Sequence, residues 1–207
     1  MVQKVYVTYN DVHKLCRESA EKILTDFKPE LIIAIGGGGY IPARILRSLS
    51  ARSFLKQPNG KNISIQAIGL SLYENLGTDE PEEEPGTEVI RLQWLDAIEH
   101  LIGKNILIVD EVDDTRTTLQ YAVQELQKDV KEQSIKLGRS EPTNFSIFVL
   151  HNKDKEKRGK LPEEIIETGY LAARTTKDVW ICYPWEATDI EEHDRRAAEQ
   201  KENGIKI

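Results

Sequence analysis

The chain has 207 residues, 39% of them hydrophobic and 30% charged, with a formal net charge of -7, a length that suits one domain with a real core. The acidic balance argues against gripping a nucleic acid backbone, which needs a basic face. The longest apolar runs, Leu31 to Ile35 and Ile106 to Val109, fall far short of the ~20 residues of a membrane-spanning helix. Two cysteines, Cys16 and Cys182, in neither CxxC nor metal-finger spacing, argue against a disulfide framework or a structural zinc site. The opening "MVQKVYVTYND" lacks the apolar run of a secretory leader, so a reducing, cytoplasmic setting is expected. A small anionic ligand stays compatible with this charge, because local amides and a metal ion override a global field.

In chain order, "NDVHKLCRESAEKILTDF" carries apolar residues at Val12, Leu15, Cys16, Ile23, Leu24 and Phe27, one face of a helix, with Asn10 or Asp11 as N-cap. "LIIAI" at 31–35 reads as a strand buried on both faces and ends in four glycines. "YIPARILRSLSARSFL" resumes a helical pattern with Pro42 in its first turn, and "ISIQAIGLSLY" at 63–73 is a further strand. The acidic "ENLGTDEPEEEPGTE" at 74–88 has no apolar period and reads as a loop. Ile106–Val109 is a strand, "TLQYAVQELQKDVKEQ" a long amphipathic helix, Asn144–Leu150 a strand, and "HNKDKEKRGK" a charged turn. Strands alternating with helices predict an α/β domain, a parallel sheet covered on both faces, with ligands at the carboxyl ends of its strands.

Two motifs sit at such ends. "IGGGGYIPA" matches neither the dinucleotide fingerprint nor the P-loop. Four consecutive glycines still exceed what a turn requires, since each adds unfolded-state entropy, and they suggest backbone amides close to a ligand. "ILIVDEVDDTRTT", residues 106–118, packs Asp110, Glu111, Asp113 and Asp114 into five positions. Like charges at that density repel unless a cation or a hydroxyl-rich ligand shares the site. The following Thr115, Thr117 and Thr118 open a helix whose free amides and dipole suit a phosphate. Carboxylates for hydroxyls or Mg²⁺ beside a phosphate cradle describe a site for a 5-phosphorylated sugar. His13, His100, His151 and His193 show no mutual spacing for metal or triad chemistry and read as structural.

The same stretch resembles the phosphoribosyl pyrophosphate (PRPP) signature of the type I phosphoribosyltransferases: apolar strand, two acids, two further residues, then Asp-Thr-Gly-x-Thr. It departs where Asp113 replaces an apolar residue and Arg116 replaces glycine, and these two, three apart, are candidates to pair across the turn. "IIAIGGGGYIPARIL" resembles the pyrophosphate loop of the purine enzymes, with Gly37 where Lys or Arg is common. "GLSLYENLG" resembles the start of their catalytic lid, and Lys153 in "FVLHNKDK" together with "WICYPWE" at 180–186 resembles the purine pocket of the 6-oxopurine branch. The resemblance runs from about residue 30 to 190. The fungal hypoxanthine-guanine and xanthine phosphoribosyltransferases look most alike, sharing "VDEVDDTRTTL", "HNKDK" and "YPW".

This resemblance implies a single type I phosphoribosyltransferase domain over 1–207. Its core would span about 30–150, and a small hood would come from the N-terminal segment and about 151–190. It implies transfer of 5-phosphoribosyl from PRPP to a 6-oxopurine, with Mg²⁺ as cofactor and a homodimer as the usual assembly. Asp110 and Glu111 would hold the ribose hydroxyls, directly or through metal, with Glu186 as a further metal ligand. Asp114, Thr115, Arg116, Thr117 and Thr118 would hold the 5′-phosphate, with Asp114 also the general base at purine N7. Gly36, Gly37, Gly38 and Gly39 would hold pyrophosphate, and Ser71 and Tyr73 would begin the lid. Lys153, Trp180 and the Ile181 carbonyl would bind the base. Two other classes are weighed against this. A regulatory or RNA-binding use of the fold is disfavoured by the acidic charge and the intact Asp114, and a phosphoryl-transfer enzyme by the missing P-loop lysine.

Overall fold

A computed structural model describes residues 3–52, 62–73 and 88–204. Its strands are β1 (Lys4–Tyr6), β2 (Leu31–Gly36), β3 (Ser64–Tyr73), β4 (Glu88–Gln93), β5 (Asn105–Asp113), β6 (Asn144–Lys153), β7 (Tyr170–Thr176) and β8 (Trp180–Cys182). Its α-helices are α1 (Tyr9–Lys22), α2 (Tyr40–Arg52), α3 (Thr117–Leu137) and α4 (Ile190–Glu202). Six strands form one sheet in the order β4-β3-β2-β5-β6-β7, parallel except for β4 at one edge. From β2 the chain crosses to β3 on one side and reaches β5 on the other. The carboxyl ends of β2 and β5 therefore flank the topological switch point, where α/β sheets bind ligands.

The central strands are apolar on both faces because both faces are covered. Ile33, Ile35, Ile106, Ile108, Ile147 and Val149 point to a core shared with Leu119, Val123 and Leu126 of α3. The alternate residues Ile32, Ala34, Leu107, Val109, Phe148 and Leu150 face Val12, Leu15 and Cys16 of α1 and Ala43 and Leu46 of α2. Burying a side chain of this size contributes about 1.5–3 kcal/mol, and the strict alternation fixes the register, since a one-residue slip would exchange the two sets. Apart from this sheet, β1 and β8 pair in parallel, Val5 opposite Ile181. Helix α4 holds them: the Tyr6 amide donates to Gln200 and His193 Nε2 contacts the Val7 carbonyl at 2.8 Å.

Four differences from the sequence expectations matter. The first helix is capped by Thr8 rather than Asn10 or Asp11; Asp11 sits at the third helical position and completes a capping box. That helix ends at Lys22 and passes into a π-turn over Ile23–Phe27. Strand β5 runs four residues past Val109, so Asp110, Glu111 and Asp113 belong to the strand and not to a loop behind it. Strand β6 likewise takes in His151, Asn152 and Lys153, which the sequence pattern assigns to a charged turn. Residues 74–87 of the expected acidic loop lie outside the described residues, and Glu88 starts β4.

Candidate active site

At the switch point a cleft of about 310 Å³ is lined by Gly36, Gly37, Gly38, Leu70 and every residue from Asp110 to Leu119. The two sequence motifs thus meet in one place. The glycines have separate reasons. A Cβ at Gly36 would fall 2.2 Å from the Tyr40 hydroxyl, and one at Gly38 would fall 1.9 Å from the Glu111 carboxyl. A Cβ at Gly39 would overlap backbone, 2.3 Å from the Val109 carbonyl oxygen. At Gly37 nothing lies within 4 Å, so that position is open to the cleft. The Gly39 amide donates to the Ile35 carbonyl at 2.9 Å. That amide is used within the fold, and Gly36, Gly37 and Gly38 are the glycines of the run that line the cleft.

Across from them, Asp110 accepts from the Glu111 amide at 2.8 Å, and Glu111 accepts from Trp185 Nε1 at 2.8 Å. Trp185 is itself stacked on Tyr183, ring centroids 4.8 Å apart. Burial, then the neighbouring Glu111 charge, pushes Asp110 up to about 8. Burial, with the charge of Glu186, pushes Glu111 up to about 7 against the Trp185 hydrogen bond. Two hard oxygen donors whose charge the protein leaves uncompensated fit Mg²⁺, which binds through one or two carboxylates and takes its remaining ligands from water and phosphate. Among the described residues no group of three His, Cys, Asp or Glu side chains converges to close a metal cage.

The loop after β5 turns at Arg116, whose backbone is left-handed (φ 68°, ψ 0°), the conformation for which glycine is the usual residue. Helix α3 then starts without a side-chain cap, leaving its first amides for a ligand, and Thr115 and Thr117 hydroxyls lie 3.0 Å apart beside them. Arg116 donates through Nε and Nη2 to Asp113 Oδ2 at 2.9 and 2.8 Å, so the two departures from the family pattern do pair. Tyr170 also donates to that oxygen at 2.7 Å. Lys157 donates to the Asp113, Asp114 and Lys153 carbonyls. The Arg158 and Gly159 amides both donate to the Thr115 carbonyl at 3.0 Å. The segment after β6 is therefore a buttress under the loop between β5 and α3.

Asp114 faces two lysines. Lys153, 8% exposed, donates to Oδ2 at 2.9 Å, and Lys155 lies 2.9 Å from Oδ1. Asp178 sits behind both, 3.5 Å from Lys153 and 3.0 Å from Lys155. Burial opposes the Asp114 charge, but the hydrogen bonds from Lys155 and Lys153 outweigh it and hold the carboxyl below the usual carboxylate value. Lys155, Lys157 and Asp178 escaped the sequence reading. The signal available was the spacing of "KDKEK", which a continuing strand and tight turn bring round the same loop.

The other expected site residues stand apart from this cleft. Ser71 and Tyr73 lie on β3 opposite Ile90 and Glu88 of β4, and the lid segment between these strands falls outside the described residues. Trp180, 58% exposed, and Glu186 line a neighbouring depression with Cys182 and Tyr183. Ile181 is buried in β8.

A parallel sheet with a diacid and a threonine-rich helix start at its switch point defines a protein built for a phosphorylated, hydroxyl-bearing ligand. No protein-family model matches the chain. Among curated proteins it is 60% identical to a hypoxanthine-guanine phosphoribosyltransferase of Schizosaccharomyces pombe, over 94% of this chain and 95% of that one. It is 56% identical to xanthine phosphoribosyltransferase 1 of Saccharomyces cerevisiae, over 96% and 97%. Among solved structures it resembles a hypothetical protein of Neisseria gonorrhoeae with bound ppGpp (TM-score 0.74, 40% identity, 96% and 98% covered). A purine phosphoribosyltransferase of Pyrococcus horikoshii gives TM-score 0.57 at 26% identity, with 90% and 96% covered. The chain belongs to the purine phosphoribosyltransferase family.

Proposed function

We propose that the protein serves purine salvage, transferring the 5-phosphoribosyl group of PRPP to N9 of a 6-oxopurine and releasing pyrophosphate. The observation that carries this reading is the Asp114 carboxylate held by Lys153 beside the Thr115–Thr118 turn. One place thus offers a base, a donor for a carbonyl oxygen and a phosphate cradle. Asp110 and Glu111 would hold the ribose hydroxyls and Mg²⁺, with Glu186, whose charge acts on Glu111, as the candidate ligand of a second ion. Bound there, the metal would supply charge neutralisation for the leaving pyrophosphate.

The chain's own residues do the rest. The α3 amides and threonine hydroxyls anchor the 5′-phosphate away from the reacting carbon, so the sugar is oriented before reaction. The Asp110 and Glu111 carboxylates face the ring on which positive charge develops. Gly36, Gly37 and Gly38 let backbone approach the pyrophosphate. A purine 6-oxygen competes with Asp114 for Lys153. When it takes that hydrogen bond, Asp114 loses one of its two lysine partners, becomes more basic, and is ready for the N7 proton as N9 bonds to carbon. Trp180, exposed in the depression next to the cleft, would stack on the base.

The relatives named for hypoxanthine-guanine and for xanthine stand at 60%, 56% and 54% identity, so overall identity does not choose the base. Incubation with PRPP, Mg²⁺ and each of hypoxanthine, guanine, xanthine and adenine, followed by ultraviolet absorbance, tests the reading. Turnover of one or more 6-oxopurines and none of adenine is expected. No turnover of any base, or a preference for adenine, would overturn it. A homodimer in the cytoplasm is part of the same proposal, and sedimentation of the purified chain checks the dimer.

A further inference from the structure

A cavity of about 470 Å³ opens between α1, α4, β6 and β7, and none of its lining residues lines the catalytic cleft. His151 lies at its floor, 0% exposed, and its Nε2 has no hydrogen-bond partner. The rest of the ring is accounted for. Tyr183 donates its hydroxyl hydrogen to the Glu111 carbonyl at 3.1 Å, since a carbonyl only accepts, and His151 Nδ1 lies 2.8 Å from the Tyr183 hydroxyl oxygen. With the tyrosine hydrogen committed, Nδ1 must donate, which makes Nε2 a bare acceptor. Burial, helped by the charge of Arg174, lowers the imidazole to about 4, so it is neutral at physiological pH.

Buried acceptors are normally satisfied, and leaving one unpaired costs about 1–3 kcal/mol. The cavity has far more room than one water, whose share of liquid volume is about 30 Å³. Its charged lining is three cations, Lys14, Arg174 and Lys201, against two carboxylates, Asp11 and Glu18. Lys201 pairs with Asp11 at 3.0 Å and Arg174 with Glu18. Among the described residues no carboxylate pairs with Lys14, which stands exposed on α1 as the surplus positive charge. The space thus presents a buried acceptor below and an uncompensated cation at its rim.

We propose that this cavity is a second ligand site, for a small oxyanion that also bears a hydroxyl, the hydroxyl donating to His151 Nε2 and the oxyanion facing Lys14. The test uses the ¹⁵N-labelled full chain with its catalytic cleft saturated by inosine monophosphate. The chain has four histidines, and His151→Gln assigns the resonance. Glycerate and glycerol 3-phosphate are titrated in turn, so that the two arms distinguish a carboxylate from a phosphate ligand. Before addition, His151 Nε2 should show the position of an unbonded acceptor. One probe should then move it, saturably, to that of a hydrogen-bonded one, and Lys14→Glu, on an exposed helix position that leaves the fold intact, should weaken that probe by about tenfold or more. An Nε2 already hydrogen-bonded before addition would mean a fixed water and overturn the proposal. So would a resonance that neither probe moves, or equal affinity in Lys14→Glu.

Discussion

Arg116 occupies a left-handed backbone position that costs an L-residue about 1–2 kcal/mol, and the Asp113 ion pair is what keeps it there. Asp113 is 1% exposed and carries the Arg116 guanidinium and the Tyr170 hydroxyl on one oxygen. Arg116 lies over the Tyr170 ring, 5.2 Å from its centroid. Arg116→Gly relieves the strain but leaves a buried charge short of its main partner, which costs more than the strain returns. Urea unfolding should show Arg116→Gly destabilised by about 2–3 kcal/mol, and Asp113→Val with Arg116→Gly back to within about 1 kcal/mol of the parent. A double variant no better than the single would dismiss the pair as a substitute for the apolar residue and glycine. At the next acid the reasoning is about function. Lys153 has little exposure and one displaceable bond to Asp114, so Lys153→Ala should raise KM for a 6-oxopurine by roughly 10- to 100-fold, the loss of a charged hydrogen bond of about 1.5–3 kcal/mol. An unchanged KM for the base would remove that lysine from the pocket.

At the scale of elements, the site depends on two strands that run past their apolar cores. Leu107, Ile108 and Val109 are legible as a strand because they are apolar, and the helix α3 is legible by its period. Asp110, Glu111 and Asp113, like His151 to Lys153, are polar, so no hydrophobic pattern announces them; they stay extended because β5 and β6 pair with each other to the end, Asp113 opposite Asn152. The sheet-edge strands β4 and β7 and the separate pair β1 and β8 are not legible in the sequence for a related reason, being short or half-exposed, with burial set by partners far along the chain. The acid cluster and the glycine run were legible as a site from residue type alone. The buttress after β6 was not, since it acts through backbone carbonyls. Gly159 makes that buttress testable: an added Cβ would lie 2.4 Å from the Arg116 carbonyl oxygen and 2.9 Å from the Thr117 nitrogen. Those are backbone atoms of the loop proposed to hold the 5′-phosphate, which must shift. Gly159→Ala should therefore raise KM for PRPP about tenfold or more, since a displacement of ~1 Å at a binding group can cost 10²-fold. Initial rates at varied PRPP check it, and an unchanged KM would mean that the loop does not lean on this segment.

On the scale of the whole molecule, stability and site share a titrating core. His151 sits where the six-stranded sheet, the β1–β8 pair and α1 converge, and it is held neutral by burial, with a value lowered from 6.5 to about 4. An unfolded chain takes up that proton near pH 6.5, whereas the folded chain does not until near pH 4. Across this window the unfolded state binds more protons, so stability falls as pH drops, by up to 1.36 kcal/mol per unit and about 3 kcal/mol in all. Asp110 and Glu111, raised to about 8 and about 7, act with the opposite sign, because the folded state there binds more protons than the unfolded. The net slope of the parent protein is therefore a difference between two effects, and only a comparison isolates the histidine. His151→Gln keeps an amide that can serve Tyr183 and has no charge to gain. Its stability relative to the parent should improve steadily from pH 7 to pH 4.5, by about 2–3 kcal/mol, in urea unfolding at matched ionic strength. A constant offset between the two proteins over that range would mean that His151 takes its proton as readily folded as unfolded, and that the sheet does not enclose it.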